Sequence, residues 1–149
     1  MIIGEICNPV VVVVHKNMSI ADAARLMREQ HVGSLVVVEE TDEGQRVEGI
    51  LTDRDIVLSV VACDLDPNVV TVGDVILDTP VTIRADESVA DALHCMRRHG
   101  VRRLPVVTER GILKGIVTVD DVLGIICEEL NDVVSTITRE QQRERVTRK

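Results

Sequence analysis

Short runs of hydrophobic residues alternate along the chain with segments in which apolar positions recur every three or four residues. The runs at 11–14, 35–38 and 47–51 have the length and β-branched composition of buried strands. The segment that starts at Ser19 and the segment 53–61 place their apolar residues on one face of a helix. The pattern therefore predicts the order strand, helix, strand, strand, helix.

The second half of the chain carries the same pattern. Its predicted strands are 81–83, 104–107 and 112–117, and its second helix is 119–129. When Ser19 is aligned with Ser88, half of the positions up to the end of the next strand are identical. After a turn that is shorter in the second copy, Gly49 aligns with Gly115 and the match continues. Because the change in length is confined to a loop, we interpret the chain as a duplicated unit.

The first helix of each copy has a recognisable start. Ser19 and Ser88 are the expected N-caps, and Asp22 and Asp91 follow three residues later, as in a capping box. The apolar stripes of these helices are predicted at Ile20, Ala23, Ala24 and Met27 in the first copy and at Val89, Ala92, Leu93 and Met96 in the second.

We predict an α+β fold in which two βαββα repeats pack pseudo-symmetrically through their sheets, because three strands cannot cover their own helices well. The predicted boundaries are 1–61 for the first repeat, 62–71 for a linker, 72–129 for the second repeat and 130–149 for a C-terminal helical tail. Leu130, Val133, Val134 and Ile137 form an apolar stripe in this tail, and an arginine-rich stretch follows. The stripe could pack on its own repeats, on a second copy or on another protein, and self-packing is the default expectation.

Composition excludes several classes of function. The chain has no Phe, Tyr or Trp, which argues against stacking platforms for single-stranded nucleic acid. A net charge of −8 repels phosphate backbones, so we expect no nucleic-acid partner. No apolar run approaches the length of a membrane span, and the chain does not start like a signal peptide. We therefore expect a cytoplasmic protein without a membrane partner.

The cysteines and histidines do not form an evident site. Cys7, Cys63, Cys95 and Cys127 are widely separated, which predicts reduced and mostly buried thiols. His15, His31, His94 and His99 lack ligand-like spacing, so we expect surface histidines and no metal site.

One motif occurs in both copies at the junction between a strand and a helix. Thr52 and Asp55 in the first copy correspond to Thr118 and Asp121 in the second. A threonine hydroxyl beside free helix-start N–H groups favours an anion, and a carboxylate one turn later can accept two hydrogen bonds from a sugar diol. The same spacing also describes a plain capping box, and spacing alone favours that interpretation.

With its context, the motif becomes specific. The segments G-I-L-T-D-R-D-I (49–56), G-I-V-T-V-D-D-V (115–122) and G-V-R-R-L-P-V-V (100–107) together resemble a tandem pair of cystathionine-β-synthase (CBS) domains, a stand-alone Bateman-type module, over residues 1–129. The resemblance implies two clefts between the repeats, adenosine-containing ligands in them, and a regulatory role toward a separate enzyme or transporter. It also implies a homodimer.

The resemblance assigns roles to the polar residues of the motif. Thr52 and Thr118 would hydrogen-bond ribose or phosphate, and Asp55 and Asp121 would accept hydrogen bonds from ribose hydroxyls. Among apolar residues it implies an adenine slot made by Ile50, Leu51, Ile116 and Val117, with Val37 and Val106 on its other side.

Two arginines distinguish the copies. Arg102 and Arg103 occupy the segment in which basic residues contact phosphates in some members of the family, whereas the aligned positions in the first copy are Gly33 and Ser34. The alternative interpretation of the arginines is a solvated strand edge or an ion pair with the acidic surface. The two clefts are therefore expected to be unequal, and the sequence leaves open which one the arginines face.

We predict a regulatory module that binds AMP, ADP, ATP or S-adenosylmethionine and requires no cofactor. The alternative is an interaction scaffold that dimerises or docks and whose clefts do not bind. An enzyme is not expected, because the repeats occupy the chain up to the tail and no nucleophile arrangement or phosphate-binding loop is present.

Overall fold

The computed structural model describes residues 1–76 and 79–148. Leu77, Asp78 and Lys149 lie outside the described residues, as do the parts of the predicted second repeat and tail that fall on them. The first half contains α1 (Ile3–Ile6), β1 (Val13–Val14), α2 (Ile20–Gln30), β2 (Ser34–Thr41), β3 (Gly44–Thr52) and α3 (Asp53–Ile56), which a π-helical segment (Val57–Val61) continues. The second half contains α4 (Val72–Val75), β4 (Ile83–Arg84), α5 (Val89–His99), β5 (Arg103–Val107), β6 (Leu113–Thr118) and α6 (Val119–Thr147).

Each half forms a three-stranded sheet of the same topology. β2 pairs in parallel with β1 and antiparallel with β3, and β5 makes the same two pairings with β4 and β6. The antiparallel registers also correspond, since Ser34 lies opposite Thr52 and Arg103 lies opposite Thr118. The predicted α+β architecture of two repeats is confirmed.

The first helices of the repeats begin at the expected serines. Ser88 forms a complete capping box with Asp91, because each side chain accepts the backbone N–H of the other residue. Ser19 caps α2, but the carboxylate of Asp22 pairs with Arg25 instead of returning to the backbone of Ser19. The buried stripes are Ile20, Ala23 and Met27 in α2 and Ala92 and Met96 in α5. Ala24 was predicted in the stripe but is exposed.

The two short helices α1 and α4 were not predicted, and they exchange places between the repeats. Ile3 of α1 is buried in the core of the second repeat, and its backbone N–H donates to Glu87 at 2.8 Å. The aligned Val72 of α4 is buried in the core of the first repeat and donates to Met18 at 2.9 Å. Each repeat is therefore completed by the segment that precedes the other one.

A third apolar cluster lies between the two sheets, as the predicted packing requires. Its buried residues are Val36, Val38, Val47 and Val107. The opposite face of each sheet packs against the helices of its own repeat and forms the two larger cores.

The tail does not form a separate element. α6 runs for 29 residues without a break from the second repeat through the tail. Every described residue from Cys127 to Arg148 is exposed, so the default expectation of a self-packed tail is wrong. Among the described residues, no helix combines the length and hydrophobicity needed to cross a membrane.

Candidate ligand-binding cleft

A cleft of about 510 Å³ lies between the two repeats. The first repeat contributes the end of β3 and the start of α3, and the second contributes the segment from Gly100 to Arg103 that enters β5. Its size is within the range that small-molecule sites usually have, roughly 300–1,000 Å³. The residues that line it are Gly33, Gly49, Ile50, Thr52, Asp53, Arg54, Asp55, Ser59, Val75, Ile76, Thr79, Pro80, Val81, Gly100, Val101, Arg102 and Arg103.

Thr52 and Asp55 both face this cleft and also form a capping box. The Thr52 N–H donates to Asp55 Oδ2 at 2.9 Å, and Thr52 Oγ1 accepts from the Asp55 N–H at 3.1 Å. Thr52 and Asp55 therefore cap the helix and also lie where a ligand could contact them. Asp55 Oδ1 makes no hydrogen bond within the described part of the chain, so one carboxylate oxygen can still accept a hydrogen bond from a ligand.

The expected free N–H groups at the start of α3 are absent. The Asp53 N–H donates to the Gly33 carbonyl at 3.0 Å, and the Arg54 N–H donates to Asp53 Oδ1 at 2.8 Å. Because the Asp55 N–H is taken by Thr52, the first turn offers no open backbone donor to an anion. At the start of α3, a phosphate would therefore be held by side chains.

Arginine side chains supply that charge. Arg102 and Arg103 line the same cleft as Thr52 and Asp55, which answers the question that the sequence left open. Arg103 is half-buried, and its Nη1 donates to Ser34 Oγ at 2.8 Å. Arg102 is 77% exposed and lies 3.7 Å from Asp120, so its ion pair is loose. With Arg54, the lining has three arginines against two aspartates, a positive site on an acidic chain.

Of the six apolar residues predicted to contact an adenine ring, only one lines the cleft. Ile50 lines the cleft, but Val37 and Leu51 are fully buried in the first core, and Val106 and Val117 in the second. Neighbouring residues of a strand point to opposite faces, so Leu51 cannot share the direction of Ile50. Ile116 packs at the cluster between the sheets. These five side chains do not line this cleft, and their contact with an adenine ring stays a prediction.

Val75, Ile76, Val81 and Val101 form the apolar wall instead, and the sequence reasoning missed them. The first two belong to the exchanged segment around α4. The signal that could have found them is the match of Gly73-Asp74-Val75 with Gly4-Glu5-Ile6 upstream of the other repeat. An element repeated outside both predicted sheets indicates a structural role.

The corresponding residues of the second repeat do not line this cleft. Thr118 and Asp121 form the same capping box, with distances of 3.0 and 3.2 Å, but neither lines the cleft described above. Ile116, which aligns with Ile50, exchanges two backbone hydrogen bonds of 2.9 Å with Asn8. The segment before β1 therefore covers this strand, and the aligned partners of the two arginines carry no charge.

The cysteines and histidines occupy ordinary positions. All four histidines are exposed, as expected. The four thiols are free, but Cys63 and Cys127 are exposed, so the expectation of mostly buried cysteines is wrong. Burial raises the pKa of Cys7 and of Cys95, which makes both poor nucleophiles. In residues 1–76 and 79–148, no group of three or more His, Cys, Asp and Glu side chains could hold a metal ion.

Comparison with known proteins places this architecture in a family. The CBS domain model matches residues 3–62 and 72–128. Hypoxic response protein 1 of Mycobacterium tuberculosis is 38% identical over 118 residues, which are 79% of this chain and 80% of that protein. The crystal structure of Hypoxic Response Protein I with two coordinated zinc ions superposes with a TM-score of 0.74 at 37% identity, covering 83% of this chain and 97% of that one.

A second solved structure holds a nucleotide. The cytosolic domain of the Mg²⁺ channel MgtE in complex with ATP superposes with a TM-score of 0.69 at 29% identity. The match covers 83% of this chain and 48% of that one. By its sequence, its duplicated sheets and these matches, the chain belongs to the CBS domain family and contains two copies of the domain.

Proposed function

We propose that the chain is a regulatory module that senses an adenosine nucleotide, AMP, ADP or ATP, in the cleft between its repeats. One observation carries the proposal. A single cleft brings the Thr52–Asp55 pair of the first repeat together with Arg102 and Arg103 of the second. Sugar-binding and phosphate-binding groups therefore face one space, and two of the three arginines come from the other repeat.

Different lining residues would contact the ribose and the base of the nucleotide. Asp55 Oδ1 accepts a hydrogen bond from a ribose hydroxyl, and the Thr52 hydroxyl lies beside it. Ile50, Ile76 and Val81 offer an apolar surface to a base. Because the lining has no aromatic ring, the base is held by aliphatic contact and backbone groups and not by stacking.

The charge of the cleft favours a phosphate ligand. A guanidinium donates paired hydrogen bonds that match phosphate oxygens, and Arg103 is already oriented by Ser34. S-adenosylmethionine has no phosphate and carries a positive sulfonium, so we rank it below the nucleotides for this cleft. The ATP in the MgtE domain structure supports a nucleotide as the ligand.

We expect one nucleotide per chain. Thr118 and Asp121 retain the predicted sugar-binding pair of the second repeat, but Gly33 and Ser34 replace the two arginines. The positions aligned with the two arginines therefore offer no positive charge to an anionic ligand at the second motif.

The output of such a module is a change in how the repeats are angled. A ligand that contacts Asp55 from one repeat and Arg103 from the other stabilises the arrangement that allows both contacts. A homodimer mate, or a separate enzyme or transporter in the cytoplasm, would sense that arrangement. We propose no catalytic activity for the chain.

Isothermal titration calorimetry of the full chain with ATP, AMP and S-adenosylmethionine tests the proposal. Asp55→Asn is the informative variant, because asparagine can still accept the Thr52 N–H while the charge is removed. Asp121→Asn makes the same change in an equivalent capping box outside the cleft, and it is the matched control. We expect binding of about one ATP per chain, weakened roughly tenfold by Asp55→Asn and unchanged by Asp121→Asn. No heat with any nucleotide, or equal losses in the two variants, would refute the proposal.

The alternative function, an interaction scaffold, is favoured by one observation. α6 exposes Leu130, Val133, Val134 and Ile137, each by more than half of its surface. Exposed apolar residues in a row are typical of a protein contact. Unchanged partner binding in the presence and absence of ATP would favour this function over sensing.

A further inference from the structure

The three arginines of the cleft lie at two depths. Arg103 is half-buried, and its Nη1 donates to Ser34 Oγ at 2.8 Å. Ser34 lies opposite Thr52 in the pairing of β2 with β3, so the guanidinium of Arg103 is held next to the strand end that carries the proposed sugar-binding pair. Arg54 and Arg102 line the same cleft but are exposed. The cleft therefore has one inner arginine, Arg103, beside the sugar position and two outer arginines.

The stability of the fold does not explain the outer arginine of the first repeat, Arg54. It is the second residue of α3, where the helix dipole disfavours a positive charge. Its backbone N–H donates to Asp53 Oδ1, but within residues 1–76 and 79–148 its guanidinium makes neither a hydrogen bond nor an ion pair. A guanidinium that faces a cleft in this state is available to an anionic ligand, although the chain as a whole has a net charge of −8.

The aligned position of the second repeat has the opposite charge. Asp120 stands where the first repeat has Arg54, and its carboxylate lies 3.7 Å from the guanidinium of Arg102. Arg102 therefore has a carboxylate that competes with a ligand for its charge, whereas Arg54 has no ion pair among the described residues. Arg54 is thus the outer arginine that a ligand can engage without displacing a contact within the described part of the protein.

We propose that Arg54 binds the outer phosphates of the ligand, so that the cleft selects nucleoside diphosphates and triphosphates over monophosphates. The inference rests on the proposed function, since it takes the ribose to be held by Thr52 and Asp55. In this arrangement the inner Arg103 binds the first phosphate, and further phosphates extend outward to Arg54. AMP ends at the first phosphate and gains nothing from the outer arginine.

Electrostatic repulsion within the cleft acts in the same direction. Three guanidinium groups around one space repel one another, and the repulsion falls when negative charge lies between them. A triphosphate brings more negative charge into the cleft than a monophosphate does. Guanidinium groups also donate paired hydrogen bonds to phosphate oxygens, so each added phosphate offers new acceptors to an arginine that has no other partner among the described residues.

Isothermal titration calorimetry of the full chain with adenosine, AMP and ATP measures what the phosphates contribute. Arg54→Gln removes the outer charge, and Arg103→Gln removes the inner one. Arg28→Gln is the matched control, because Arg28 is also exposed, pairs with no described residue and does not line the cleft. We expect the unaltered chain and Arg28→Gln to prefer ATP over AMP about tenfold. Arg54→Gln should lower the affinity for ATP roughly tenfold and leave the affinities for AMP and adenosine unchanged, whereas Arg103→Gln should lower the affinities for both nucleotides.

The outcomes separate this inference from the proposed function. Equal affinities of the unaltered chain for AMP and ATP overturn the inference and leave the proposed function standing. An Arg54→Gln variant that loses affinity equally for adenosine, AMP and ATP, or that binds ATP as well as Arg28→Gln does, also overturns it. Absence of binding for every nucleotide refutes the proposed function and this inference with it.

Discussion

Two aligned glycines in the third strands of the repeats, Gly49 and Gly115, each lie against the exchanged segment on their own repeat and allow a matched test of these segments. A Cβ added at Gly115 would lie 2.6 Å from the carbonyl oxygen of Asn8 and 2.8 Å from the sulfur of Cys7. A Cβ added at Gly49 would lie 3.1 Å from the Cδ1 atom at the flexible end of Ile76. The backbone at Asn8 can move only if its two hydrogen bonds with Ile116 lengthen or break.

We expect Gly115→Ala to destabilise the chain by about 2–4 kcal/mol. Overpacking of this kind costs roughly 1–3 kcal/mol, and a weakened backbone hydrogen bond adds about 1 kcal/mol. Among the described residues, a Cβ at Gly49 would meet only Ile76, which can change rotamer, so Gly49→Ala should cost less than about 1 kcal/mol. The difference between the two variants excludes the general effect of alanine in a strand, since both positions lie in the same place of their repeats.

Urea unfolding followed by circular dichroism gives the free energy of unfolding for each variant. At this chain length, a loss of 1 kcal/mol corresponds to about 2–4 °C in Tm, so the two variants should also separate in thermal melts. Equal losses in the two variants, or a larger loss for Gly49→Ala, would refute the account of the exchanged segment as a rigid contact against the second repeat.

Two further predictions follow from individual hydrogen bonds. Ser34→Ala removes the acceptor that orients Arg103, so in the proposed cleft the affinity for ATP should fall about three- to tenfold, while the affinity for adenosine should be unchanged. Ser34→Thr keeps a hydroxyl and should restore the affinity for ATP. Equal losses of affinity for ATP and adenosine, measured by calorimetry, would contradict a role in phosphate positioning. The backbone hydrogen bond at Ser88 lowers the pKa of Asp91 below its ordinary value of 3.8, so its stabilising effect is present above that value and is lost as the pH falls through the lowered pKa. Asp91→Asn should therefore flatten the loss of stability in acid, as measured by urea unfolding from neutral pH downward, and a variant as sensitive to acid as the unaltered chain would contradict the assignment.

The sequence was most informative where a pattern is local or duplicated. The alternation of apolar positions predicted both sheets and both pairs of helices, and the serine caps of α2 and α5 are present. The alignment of the copies also identified the unequal pair of positions at 33–34 and 102–103. These features depend on neighbours within one repeat, so periodicity and caps are sufficient to find them.

Features that depend on contacts between the repeats could not be predicted in the same way. The sequence assigned Ile3 to the first repeat and Val72 to the second. In the structure, Ile3 is buried in the second repeat and Val72 in the first. The start of α3 looked like an anion site, but the Gly33 carbonyl and Asp53 occupy its N–H groups. The tail pattern gave an apolar stripe but no information about what covers it. In each case the missing fact is the identity of a partner that is distant along the chain.

The two Thr–Asp motifs are unequal because both repeats contribute segments to the cleft. The segment 100–103 of the second repeat lines the cleft that contains Thr52 and Asp55 of the first. A substitution in one repeat can therefore change the surroundings of the Thr–Asp pair in the other repeat. Arg102 and Arg103 place positive charge beside Thr52 and Asp55. The aligned residues Gly33 and Ser34 are uncharged, so they add no positive charge for the pair at Thr118 and Asp121. Because Arg103 and Ser34 are aligned positions that hydrogen-bond to each other at 2.8 Å, they also meet at the pseudo-symmetry axis between the two motifs. One duplicated scaffold can thus acquire two motifs with different charge beside them through substitutions at two adjacent aligned positions, Gly33/Arg102 and Ser34/Arg103.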